Sequence, residues 1–276
     1  MTTRIVTIAS ALALVIGALS SCARDRTTAG PAATPTPGAS PSAQELADLK
    51  ALFFADQSLE ELLNMVEPTQ TPPPNDPLSL FGSSVAAARA NKTDEAMDDL
   101  KKVLALPDTE SRIQLWAWKG LRILGQQPPE DIADMIQGVV CEFHNEAGVG
   151  TLAAYADGRA RWLSGQGAAI VWEVPGTDTR INTHIKNLLK ASEPLIKAAS
   201  LSETHRTPEP EPEHFRVSIL TYGGIRTVEV YGPSMEKSQP IAKVLVASLN
   251  LLEDLTTQKN AGTESKQKAS PAETTK

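Results

Sequence analysis

The sequence is poor in the residues and motifs from which catalytic and metal sites are built. It holds two cysteines and four histidines among 276 residues. No two histidines have the spacing H-x-x-x-H or H-E-x-x-H, and no serine stands in a G-x-S-x-G motif. His144 has Glu142 and Glu146 beside it, but a metal site needs further converging ligands. The sequence therefore predicts no catalytic residue, no metal and no cofactor, and we expect a protein that is not an enzyme.

Basic and aromatic residues are also few. The 26 Lys and Arg residues against 33 Asp and Glu give a net charge of −7 and a pI near 5.2. Nucleic-acid-binding proteins usually present a basic surface, so we expect no nucleic acid partner. Aromatic residues make up 4% of the chain, so a hydrophobic core must be built largely from Leu, Ile, Val and Ala.

The chain begins with an export signal. Arg4 precedes an uncharged, mostly apolar run over residues 5–19, which at about 15 residues is shorter than the roughly 20 that a membrane-spanning helix needs. The run ends in Leu-Ser-Ser directly before Cys22, and this sequence resembles the lipobox of bacterial prolipoproteins. The resemblance implies removal of residues 1–21, a diacylglycerol thioether on Cys22 and acylation of the new amino group, for example with palmitate. The alternative is an ordinary secretory peptide that is cleaved near Ser20.

A lipid anchor at Cys22 places the protein on the bacterial cell envelope, with membrane lipid as its first partner. Two or more acyl chains, each contributing about 0.8 kcal/mol per buried methylene, hold a protein more firmly than one chain does. Because Ala23 stands where a retention-type aspartate would follow, the resemblance favours the outer membrane if the host has one, and otherwise the outer face of the cell membrane. Residues 22–41 are rich in Thr, Ala, Pro and Gly and predict a disordered tether.

The second cysteine, Cys141, follows Val139 and Val140 in an apolar run. With Cys22 lipidated it has no cysteine partner, so a disulfide framework is excluded. We predict that Cys141 is a buried thiol in a strand.

Residues 42–137 carry the apolar period of helices. Capping boxes at residues 42–45 and 58–61, and an Asp-Pro pair at 76–77, predict helix starts. Further helical segments are predicted over residues 85–90, 93–106, 110–124 and 129–137.

Residues 95–107 resemble the second helix of a tetratricopeptide repeat, with a small residue at Ala96 and a closing Pro107. The preceding segment, residues 85–90, lacks the aromatic and Leu-Gly signature of that family's first helix. At least about three such repeats are needed to bury a continuous core. The segment is therefore either a degenerate repeat array or a plain layer of packed helices.

At Gly138 the apolar period changes to that of a strand. Strands are predicted over residues 139–143, 151–155, 159–163, 168–174, 215–222 and 225–231. The strongest hairpin signal is Asp157-Gly158, since glycine supplies the positive φ of a tight turn. Asp178 is predicted to start a helix that Pro194 kinks, and a last helix is predicted over residues 240–255.

The predicted fold class is α+β, with N-terminal helical hairpins followed by a mostly antiparallel sheet that has helices on one face. The predicted domains are a lipoprotein signal peptide (1–21), a disordered tether (22–41), a helical domain (42–137), an α+β domain (138–256) and a disordered tail (257–276).

The candidate interaction surface consists of Arg159, Arg161 and Trp162 on one hairpin and of Tyr222 and Arg226 on the other. Arginine and aromatic residues are enriched where interfaces carry binding energy. The alternative is that Arg159 and Arg161 share a solvated strand face while Trp162 belongs to the core.

Residues 155–162, with residues 170–173, resemble an uncharacterised bacterial family, and this resemblance implies no activity. We therefore expect a membrane-anchored envelope lipoprotein that acts as a non-catalytic protein-interaction module for an unidentified envelope protein. A small-ligand-binding sensor or carrier, with a pocket between sheet and helix, is the first alternative. An envelope hydrolase is the second, and a cleft that joins His144 to acidic residues would support it.

Overall fold

The computed structural model describes residues 42–65, 76–146, 148–202 and 209–268. The predictions for the export signal, for Cys22, for the tether and for the end of the tail lie outside the described residues. Within the described part of the chain, no helix combines the length and the apolar character needed to cross a membrane.

Six described helices precede the sheet. They are α1 (Ala43–Phe54), α2 (Leu59–Met65), α3 (Pro77–Arg89), α4 (Thr93–Ala105), α5 (Ser111–Ile123) and α6 (Glu130–Ala133). Both predicted capping boxes form, since each serine hydroxyl accepts from a backbone N–H and each glutamate carboxylate accepts from the serine N–H. Asp76 caps α3 by accepting from the N–H of Leu78 at 2.9 Å. The helix predicted over 129–137 is wrong in its second half, because the first strand already begins at Ile136.

Seven strands of the described residues form one antiparallel sheet. They are β1 (Ile136–Asn145), β2 (Gly148–Tyr155), β3 (Ala160–Leu163), β4 (Ala169–Trp172), β5 (Ser200–Ser202), β6 (His214–Thr221) and β7 (Gly224–Tyr231). Their order across the sheet is β4-β3-β2-β1-β6-β7-β5. The predicted α+β class is confirmed. The predicted Asp157-Gly158 turn joins β2 to β3, and Gly158 has φ +86°.

Two long helices come after strands in the chain, one after β4 and one after β7. In α7 (Thr179–Ser192) the side chain of Asp178 accepts from two backbone N–H groups, as predicted. Pro194 does not kink this helix but lies in a 3-10 turn (Glu193–Leu195) after its end. Proline has no N–H to donate to the carbonyl of Lys190, four residues back, so the α-helical pattern stops before it. The last helix, α8 (Gln239–Lys268), is longer than predicted, since adding residues to a packed helix costs far less than nucleating one.

Helices cover both faces of the sheet. Val140, Ala153 and Tyr155 point to one face and share a buried core with α1–α5. The alternate residues, including Cys141 and Leu152, point to the other face and share a core with α7 and α8. This alternation follows from the two-residue period of a strand. The helices α7 and α8 supply the single helical layer expected on the sheet, and the N-terminal helices add a third layer opposite.

Candidate binding surface

Arg159 and Arg161 are held by carboxylates of the same protein. The Nε atoms of Arg161 and Arg159 lie 2.9 Å and 3.0 Å from the two carboxylate oxygens of Glu173. Arg159 also lies 3.2 Å from Asp157 and 3.5 Å from Glu110, at the start of α5. The side chain of Arg159 is only 21% exposed and that of Arg161 only 12% exposed. Arg159 ties the β2–β3 hairpin to the start of α5, and Arg161 ties β3 to Glu173 at the end of β4. Little of either guanidinium therefore remains for a partner.

Arg112 of α5 completes this ionic cluster and was not predicted. Its guanidinium carbon lies 5.7 Å from the ring centroids of Trp116 and of Tyr155. Burial lowers the pKa of Arg112, and the neighbouring Arg161 lowers it further. The hydroxyl of Tyr155 donates to the carbonyl of Phe53 at 2.8 Å. Sequence alone gives no signal for this site, because an arginine in the first turn of an amphipathic helix is usually solvated.

Tyr222 and Arg226 are also engaged with the N-terminal helices. The ring of Tyr222 lies 5.8 Å from the ring of Trp118, and its hydroxyl donates to Gln114. Burial raises the pKa of Tyr222. The Nε atom of Arg226 lies 3.0 Å from Asp134. Both residues therefore stabilise the contact between sheet and helices.

Trp162 lies on the opposite face of the sheet, as its position one residue after Arg161 dictates. Its ring packs edge-on against Phe143 at 6.2 Å and covers Gly150, where an added Cβ would come within 2.3 Å of the ring. Three strands separate β3 from β7, which at about 4.8 Å per strand puts Arg161 roughly 19 Å from Arg226. The five predicted residues therefore do not form one surface.

A second buried ionic group links three adjacent strands. Arg216 of β6 lies 2.6 Å from Glu229 of β7 and 3.6 Å from Glu142 of β1. The side chains of Arg216 and Glu142 are 7% and 3% exposed. A buried charge is tolerated when it is paired, so this group is interpreted as structural.

Among the described histidines, His144 contacts a backbone carbonyl, whereas His184 contacts a carboxylate. His144 Nδ1 lies 2.7 Å from the carbonyl oxygen of Pro210, and His184 Nδ1 lies 3.1 Å from Asp254. Among the described residues, no group of three or more His, Cys, Asp or Glu could hold a metal ion. The described part of the chain thus gives the hydrolase alternative no support.

The outer side of α7 and α8 carries a concave feature, which we name the α7–α8 groove. It comprises two adjoining volumes of about 350 Å³ and 480 Å³. On the α7 side it is lined by His184, Asn187, Lys190, Ala191 and Pro194. On the α8 side it is lined by Pro240, Ala242, Lys243, Val246, Ala247 and Asn250. Both volumes include Asn187, Ala191 and Lys243, so they form one continuous groove.

The lysines around this groove stand apart from the acidic side chains that the structure describes. Lys190 and Lys243 line it, and Lys186 and Lys197 lie on the same helical layer. None of the four makes an ion pair with a described residue. The other lysines with described side chains each contact a carboxylate or a backbone carbonyl, namely Lys50, Lys92, Lys101, Lys102 and Lys119.

Charge is therefore segregated across the sheet. Residues 42–65 and 76–135, which cover one face, include 15 acidic and 8 basic residues. Residues 179–199 and 239–258, on the other face, include three acidic and five basic residues. In a protein with a net charge of −7, this second layer thus has a small excess of positive charge.

Two apolar side chains stand out on this second layer. Val246 lines the groove and is 58% exposed, and Leu249, about one turn further along α8, is 48% exposed. Single exposed apolar residues are common on protein surfaces, but apolar side chains beside unpaired cations mark a surface suited to binding.

No protein-family model matches the chain, and neither does any curated protein or any solved structure.

Proposed function

We propose that the protein is a lipoprotein, anchored to the bacterial cell envelope through Cys22, that binds another envelope protein without catalysing a reaction. The observation that supports this proposal most is the α7–α8 groove, whose lysines make no ion pair with a described residue. The groove lies opposite the helical layer that begins where the tether ends, at residue 42.

The physical properties of the groove favour a macromolecular partner. Unpaired cations steer an oppositely charged partner and raise its rate of association. Val246 and Leu249 are each about half exposed, so covering them contributes roughly 1 kcal/mol apiece. Neither the attraction to the lysines nor the burial of Val246 and Leu249 alone gives a stable complex. Together they favour one orientation of a partner on this surface.

A small-ligand sensor or carrier is the second candidate function. The two volumes of 350 Å³ and 480 Å³ fall within the range of about 300–1,000 Å³ that is typical of ligand pockets. Such pockets usually enclose most of the ligand, whereas this groove lies open on the surface between two helices. The open shape therefore favours a protein partner.

The test is crosslinking of the full-length protein in its native cells, followed by mass spectrometry and membrane fractionation, with Cys22→Ala as the control. The proposal expects one abundant envelope partner that is lost or mislocalised in the Cys22→Ala variant. An unchanged location in that variant would contradict the lipid anchor, and the absence of any captured protein would favour the ligand-binding alternative.

A further inference from the structure

We propose that the α7–α8 groove binds an acidic amphipathic helix of the partner protein. This inference rests on the proposed function, because it names the class of segment that the protein-interaction module recognises. It follows from the length of the groove, the chemistry of its walls and the position of its charges.

The length of the groove suits about three helical turns. On one side it extends from His184 of α7 to Pro194 in the turn that follows α7. On the other side it extends along the antiparallel α8 from Asn250 to Pro240. At about 1.5 Å per residue, each wall is roughly 15 Å long. An occupant helix of about ten residues covers this distance.

The walls of the groove disfavour an extended peptide. Both walls are helices, whose backbone N–H and C=O groups already bond within each helix. An extended segment would enter the groove with its own backbone groups largely unpaired, which is costly once water is excluded. A helix satisfies its own backbone groups, so only its side chains need partners, as in other complexes where a helix binds in a groove.

The lining between the two helices contains small residues. Ala191 of α7 and Ala242 and Ala247 of α8 are half-buried and line the groove. Small side chains let a third helix approach to the usual interaxial distance of about 8–10 Å. Val246 then meets the apolar stripe of the occupant.

The lysines of the groove determine which charged side chains the occupant should carry. Lys190 and Lys243 come from opposite walls, and neither makes an ion pair with a described residue. An occupant with Asp or Glu on both sides of its apolar stripe pairs with both lysines. Asn187 and Asn250 line the part of the groove toward His184 and add no charge.

The experiment places a photo-crosslinking amino acid at Val246 of the full-length protein in its native cells. Ile123, which is 66% exposed on α5 in the opposite layer, is the matched control position. After irradiation, the crosslinked peptides are sequenced by mass spectrometry. The inference expects one dominant partner peptide at Val246 that has helical apolar spacing and flanking Asp or Glu, and that is absent at Ile123.

Charge reversal tests whether the groove itself recognises this peptide. The double variant Lys190→Glu/Lys243→Glu is expected to reduce the crosslink yield, and the affinity for a synthetic copy of the peptide, by about 10-fold or more, since attractions become repulsions. The control variant Lys186→Glu/Lys197→Glu changes the net charge of the protein by the same amount, but its two residues do not line the groove. It should retain most of the binding. Reversing the peptide's acidic residues to Lys should restore binding to the first variant. Circular dichroism melting confirms that both variants are folded.

Three outcomes would overturn the inference. They are a crosslink to lipid alone, a crosslink to a second copy of this chain, and a partner peptide without acidic residues. Equal losses in the two double variants would also overturn it, because they would indicate general attraction to an anionic surface. The lipid anchor is tested separately: if Cys22→Ala leaves the location unchanged while the purified protein still binds the acidic peptide, the anchor is wrong and the groove's specificity stands.

Discussion

Replacement of Tyr155 by Phe tests whether the N-terminal helices and the sheet unfold as one unit. Tyr155 is fully buried on β2, and its hydroxyl donates to the carbonyl of Phe53 at the end of α1. Removing the hydroxyl leaves this carbonyl without that donor, which costs about 1–3 kcal/mol. For a domain of roughly 150–250 residues, each 1 kcal/mol lowers Tm by about 2–4 °C. Tyr155→Phe is therefore expected to lower Tm by about 2–12 °C.

The tryptophans allow the layers to be observed separately. Trp116 and Trp118 lie in α5, whereas Trp162 and Trp172 lie in strands. One variant retains the tryptophans of α5 and has Phe in place of the two strand tryptophans, and the second variant has the reverse. Urea unfolding of each variant is followed by fluorescence. Because helices and sheet share a continuous core, within each variant the fluorescence midpoint should coincide with the midpoint from circular dichroism, and Tyr155→Phe should shift both equally.

Separate unfolding of the two layers would give a different result. If the helix reporters and the sheet reporters gave separate transitions, and Tyr155→Phe moved only the helix transition, residues 42–137 and 138–256 would be independent domains. The ionic cluster around Arg112 would then be a contact between domains.

Three further predictions concern single side chains. Gly150→Ala is expected to cost about 1–3 kcal/mol, because its Cβ would meet the ring of Trp162, and Trp162→Leu in the same chain should recover part of that loss in urea unfolding. Burial raises the pKa of Cys141, so in the native protein its thiol should resist maleimide until urea unfolds the chain. Labelling of Cys141 in the folded protein as fast as in the unfolded protein would contradict the burial. Burial raises the pKa of Asp99, but bonds from Lys102 and Ser83 outweigh it and hold this pKa below the ordinary 3.8. The stability that Asp99 contributes is therefore present above about pH 4 and lost as the pH falls through the lower folded pKa, so Asp99→Asn should flatten the acid limb of a stability curve measured by urea unfolding.

Local sequence signals predicted most of the elements. The capping boxes, the Asp76 and Asp178 caps and the Asp157-Gly158 turn depend on residues close in sequence, and the structure confirms them. The three-residue strand β5 was missed, because so short a segment has no measurable period. The packing of the N-terminal helices on the second face of the sheet was also not predictable. A strand that is buried on both faces lacks the alternation of polar and apolar residues, so its sequence does not show which face a helix covers.

The candidate site was harder to predict than the fold. Arg159 and Arg161 resemble exposed binding residues in the sequence, but their ion pairs with Glu173 appear only once β3 lies beside β4. Lys190 and Lys243 are far apart in the sequence, and each taken alone is an ordinary solvated lysine. Only the packing of α7 against α8 brings them to opposite walls of one groove.

The most direct test of the central claim is the yield of the Val246 photo-crosslink in cells that carry each charge-reversal pair. We expect Lys190→Glu/Lys243→Glu to reduce the yield by about 10-fold and Lys186→Glu/Lys197→Glu to leave it nearly unchanged. An equal yield in both variants would contradict the claim that the α7–α8 groove recognises an acidic partner.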